Sequence, residues 1–111
     1  MSDQKLKSNS KSNSNFEKEL KSYKLETKYL YDLALKRAHF GYALLLLSSG
    51  ANPQSEYINT TNRNGDTIVH YALRRGEVDI AKNLFYMAGA DINIKNISGI
   101  SPLDMYKKLY K

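Results

Sequence analysis

A chain of 111 residues with 41% hydrophobic content and a formal charge of +6 fits one small domain. It contains no cysteine, which excludes a disulfide framework and any thiolate metal site. Its longest apolar run, Tyr42 to Leu47, is far short of the roughly 18 residues of a membrane span, and Met1 and Leu6 are the only large apolar side chains before Phe16, unlike a secretory leader. These features point to a cytoplasmic chain, or to the host cytosol if it is a translocated bacterial effector.

The charge is shared between two unlike parts. Residues 1–28 carry seven Lys against four acids, and residues 29–111 carry ten Lys/Arg against seven. Residues 1–15 include a Ser/Asn/Lys tract, Lys7 to Asn15, that has nothing to bury, so a disordered tail is expected. From Phe16 the text becomes helical: Phe16, Leu20, Tyr23, Leu30, Leu33 and Ala34 recur at three- and four-residue steps. A helix over most of 16–37 is predicted, capped by Ser14 or Asn15 and with a break near Thr27. Its first part, 16–28, reads as a capping helix that covers the open end of the C-terminal region.

The second half repeats itself. Thr67-Ile68-Val69-His70-Tyr71-Ala72 opens a helical pattern, Gly76 comes four residues later, and a second helical stretch from Val78 ends in Gly89-Ala90-Asp91-Ile92-Asn93. Ser101-Pro102-Leu103-Asp104 restarts the text 34 residues after Thr67, and Gly50-Ala51-Asn52 matches the Gly89 ending. A period near 33 residues marks stacked repeats.

These residues resemble the ankyrin repeat family, whose text is T-P-L-H-x-A, a Gly, then G-A-D-x-N. The resemblance implies an all-α solenoid of helix–turn–helix units joined by short hairpin loops, about two and a half repeats long. A degenerate first repeat occupies 29–61, the second 62–95, and a truncated third 96–111. Departures are Ile68 in place of Pro, one extra residue before Gly89, and a 53–61 loop longer than the family spacing. The expected core is Leu33, Leu45, Leu46, Val69, Leu73, Ile80, Leu84, Phe85 and Leu103.

Catalytic, metal and cofactor sites are not expected. His70 matches a family histidine that ties neighbouring turns, His39 falls in an exposed turn, and neither has a second ligand at metal spacing. There is no nucleophile elbow and no glycine-rich phosphate loop. The resemblance instead implies a protein–protein interaction module that binds through its concave face. Aligned units place Lys36-Arg37, Arg74-Arg75 and Lys107-Lys108 at similar positions, joined by Arg63, Asn64, Asp66 and Tyr71. An acidic protein partner is expected there. An electrostatic binder of nucleic acid or anionic membrane is the alternative, and a self-associating structural protein is a third. Solvated cations at helix C-termini would give the same ladder with no partner at all. Tyr57 and Ile58 in the long loop are further candidate anchors. The abundance of Lys, Asn, Ile and Tyr suits an AT-rich genome, which is compatible with a host-directed factor of an intracellular bacterium or virus.

Overall fold

The computed structural model describes the backbone of residues 9–110 and side chains from residue 15 onward. Residues 1–8, part of the expected tail, and Lys111 lie outside the described residues. The described residues form five helices and no strand: α1 (Asn9–Lys36), α2 (Phe40–Ser48), α3 (Ile68–Arg74), α4 (Val78–Ala88) and α5 (Pro102–Leu109). α1 and α2 make one helical hairpin, α3 and α4 a second, and α5 opens a third.

Two expectations about α1 are corrected. The helix begins at Asn9, not after Ser14 or Asn15, so residues 9–15 belong to it and not to a tail. Nor does it break at Thr27, whose hydroxyl donates to the Tyr23 carbonyl at 2.8 Å and so stays within the helix as a back-bond. The expected boundary between 28 and 29 therefore falls inside one continuous helix. Its C-terminal part buries Tyr31, Ala34 and Leu35 against α2, while Phe16, Leu20 and Tyr23 remain exposed. The overhang gives a molecule 63 Å long and 27 × 20 Å across.

The core also differs from the expected set. Val69, Leu73 and Leu84 are buried, but Leu45 and Phe85 are exposed, and Leu33, Leu46, Ile80 and Leu103 are half-buried. Phe40, Ala43, Leu44, Ile58, Ile68 and Met105 fill the interior with them. α2 is apolar nearly all round, so its periodicity does not reveal which leucines face inward.

Helix starts are set by single residues. Thr67 Oγ1 accepts from the backbone N–H groups of Val69 and His70. Ser101 Oγ accepts from Asp104 N–H at 3.1 Å, and Pro102 occupies the first helical position. Both helix-to-helix turns close alike, with His39 N–H bonding the Ala34 carbonyl and Glu77 N–H the Ala72 carbonyl. That closure needs a left-handed residue one step earlier, which is Gly76 (φ 78°) in the second hairpin but Ala38 (φ 57°) in the first. A non-glycine residue loses about 1 kcal/mol in this conformation. Ala38→Gly is therefore expected to raise the unfolding free energy by about 0.5–1 kcal/mol, read as a higher urea midpoint at unchanged slope.

The long 53–61 loop acts as a strap across the two hairpins. Tyr31 Oη donates to the Pro53 carbonyl at 2.8 Å, Gln54 Nε2 to the Met87 carbonyl at 3.2 Å, and Asp91 N–H to Asn59 Oδ1 at 2.8 Å. Ile58 is buried in the core, which removes it as an anchor for a partner, and Tyr57 is half-buried beneath Lys36.

Candidate functional site

Two projecting turns carry the site, and they are built identically 34 residues apart. Asn62 Oδ1 accepts from the N–H groups of Asn64 and Asp66 at 2.9 and 3.0 Å, and Asn96 Oδ1 accepts from Ser98 and Ile100, both at 3.0 Å. The turns touch: Ile97 N–H bonds the Asn64 carbonyl, and a Cβ on Gly65 (φ 76°) would lie 3.0 Å from the Asn96 backbone. Only glycine suits both the dihedral and this approach. Asn64 thus supports the turn stack through its backbone and keeps an exposed side chain.

His70 joins the units from inside. Its Nε2 lies 2.8 Å from the Ile100 carbonyl, and its Nδ1 receives the Thr67 N–H at 2.9 Å. A carbonyl only accepts, so Nε2 carries the proton and Nδ1 serves as the acceptor. The ring is fully buried, and its role is to tie the turn of the third unit to the helix of the second. His39 is exposed at the start of α2 and makes no side-chain cap. Among the described residues no group of three His, Cys, Asp or Glu could hold a metal ion, and no helix is long and apolar enough to cross a membrane.

The ladder of cations is corrected by this geometry. Arg74 forks onto Asp66, with contacts of 2.6 and 3.2 Å, and Asn96 Nδ2 also donates to Asp66 at 2.9 Å. Asp66 is only 4% exposed and is thus a buried strut, not a contact residue. Burial alone would raise its carboxyl, but hydrogen bonds from Arg74 and Asn96 and the Arg74 charge outweigh that and hold it below the usual range. Tyr71 is half-buried against α2, its ring 6.1 Å from Phe40, and Arg75 lies over its outer face at 5.7 Å. It therefore fills the joint between hairpins and does not face a partner.

Lys107 leaves the ladder as well. Counted from the capping residues, Lys108 lies as far beyond Ser101 as Arg74 lies beyond Thr67, so Lys107 takes the place of buried Leu73. One residue along a helix turns the side chain by about 100°, which points Lys107 toward the open end of the stack. Both lysines are exposed.

Three predicted cations do converge. Lys36 and Arg37 at the end of α1 and Arg63 on the first projecting turn line one open groove with Ala38, Thr60, Thr61, Asn62 and Asn64. Its volume is about 550 Å³. None of the ion pairs among the described residues involves these three cations, although Lys36 lies 5.7 Å above the Tyr57 ring. The groove is too open to enclose a small molecule, and its floor is set by backbone and threonine side chains. What it offers is positive charge beside hydrogen-bonding groups.

Helical hairpins stacked side by side, with a turn projecting from each junction and ties between equivalent positions, define a helical-repeat solenoid. A family model described as ankyrin repeats (many copies) matches residues 54–105. Over that stretch the chain belongs to the ankyrin repeat family, and α1 and α2 lie outside it. No curated protein matches the chain. Ankyrin repeats are generally protein–protein interaction modules and typically not enzymes.

Proposed function

We propose that the chain binds an acidic, extended segment of another protein in the groove between the end of α1 and the projecting turn at Arg63. One observation carries this reading: Lys36, Arg37 and Arg63 line a single groove and have no acidic neighbour to neutralise them. Like charges held together repel, and an acidic segment relieves that cost while the charges steer its approach. Asn62, Asn64, Thr60 and Thr61 supply polar groups around the same path. We place this binding in the cytoplasm, the host's own if an intracellular bacterium or virus delivers the chain there.

Lys36, Arg37 and Arg63 are exposed, so reversing the two arginines should leave the fold intact. With a fluorescent glutamate-rich peptide as probe, Arg37→Glu/Arg63→Glu is expected to lose about tenfold or more in affinity. Arg75→Glu, outside the groove, should lose little. Equal losses from both variants would overturn the groove as the site. A single-stranded oligonucleotide or anionic vesicles binding more tightly than the peptide, with a steep fall in salt, would replace the protein partner by a polyanion.

A further inference from the structure

The two ends of the stack carry apolar surfaces of opposite shape. At the α5 end, a cleft of about 210 Å³ runs between α4 and α5, lined by Val78, Lys82, Phe85, Tyr86, Leu103 and Tyr106 among others. Phe85 and Tyr86 are 39% and 76% exposed. In the central unit α3 packs against the antiparallel α4. Among the described residues no helix stands in that relation to α5, and the cleft lies where one would. At the α1 end, Phe16, Leu20 and Tyr23 are 59%, 41% and 55% exposed. They continue the face of α1 that buries Thr27, Tyr31 and Ala34, so this overhang presents a core-type stripe with no core beneath it.

We propose that the α1 overhang of one molecule docks in the α4–α5 cleft of a second copy, joining molecules head to tail. The cleft is one helix wide and apolar, and the stripe is one helix face with matching chemistry. Charge agrees with this pairing. Glu19 and Glu26 border the stripe on one flank, while the cleft edge carries Lys82 and, one turn beyond Leu103, Lys107, against the single acid Asp79. The contact uses two different patches, so it is heterologous and leaves a free stripe and a free cleft after each addition. Two or three apolar side chains make a small interface, and the association is expected to depend on concentration. Neither patch includes Lys36, Arg37 or Arg63, so Arg37→Glu/Arg63→Glu should associate like the wild type.

The experiment is sedimentation of the whole chain over a concentration series up to about 1 mM, the weak limit for a specific complex. The wild type is expected to grow past a dimer. A stripe variant, Phe16→Asp/Leu20→Asp, and a cleft variant, Lys82→Glu/Tyr86→Asp, should each remain monomeric with native circular dichroism, since all four positions are exposed. Mixed together, they should form a 1:1 dimer that grows no further, because only one stripe and one cleft remain intact. A wild type that stays monomeric throughout overturns the proposal. So does association of either variant alone, which would mean like pairing with like, and so does a mixture that stays monomeric.

Discussion

Replacing His70 with alanine is expected to lower the unfolding free energy by about 3 kcal/mol, most of the stability of so small a stack. The ring is fully buried, so its removal opens a cavity between two units. The Ile100 carbonyl keeps one partner, since Asn96 N–H bonds it at 3.0 Å. The Thr67 amide loses its acceptor, Nδ1 at 2.9 Å, and a buried donor left unpaired costs about 1–3 kcal/mol on its own. His70→Phe refills most of the volume but supplies neither hydrogen bond, and is expected to recover less than half of the loss. Urea unfolding at neutral pH monitored by circular dichroism checks both. A midpoint for His70→Ala within error of the wild type would show that the ring is not the tie between the units.

The second large effect is expected at Asp66. Asp66→Ala removes the acceptor shared by Arg74 and Asn96 and should destabilise by about 2–3 kcal/mol. The cost stays below that of a fully buried pair because the Arg74 side chain is 47% exposed and remains hydrated once released. The lowered carboxyl also makes stability depend on pH. Because its folded value lies below its unfolded value near 4, Asp66 stabilises the protein fully above about pH 4. That contribution is lost as pH falls through the folded value, where the native carboxylate must take up a proton. Asp66→Asn should therefore melt lower than the wild type at pH 7, and the gap should narrow as pH drops below about 4. A gap that is constant from pH 7 to 2 would mean that the Asp66 charge contributes nothing to stability.

Much of the architecture is legible because it rests on short-range chemistry that recurs. The Thr67 and Ser101 caps, Pro102, Gly76 and the 34-residue spacing each need only local text, and together they lead to the helices and to the role of His70. The groove is half legible. Arg37 and Arg63 stand out as candidates, but their convergence depends on how α1 meets the first projecting turn across the long loop, which no periodicity records. The error over Lys107 is one of register, since counting seven residues from each cap places Lys108, not Lys107, beside Arg74. Asp66 and Tyr71 read as contacts because their chemistry suits interfaces, and only burial shows that they serve the joints. The matching Asn62 and Asn96 are visible at the same 34-residue spacing, and they are the signal that sequence reasoning passed over.

The spacing of the side-chain ties also bears on how the chain reaches this structure. His70 to Ile100 and Asn96 to Asp66 each span 30 residues, Asp91 to Asn59 spans 32, and Tyr110 to Leu73 spans 37. Every one of these links joins neighbouring units, so no distant ends must meet before any contact forms. Such a topology folds fast, in the microsecond-to-millisecond range of low-contact-order helical proteins. The central unit takes part in all four links, which makes it the natural nucleus from which order spreads both ways. Slowed refolding of His70→Phe with little change in unfolding rate would place that nucleus at the junction of the second and third units.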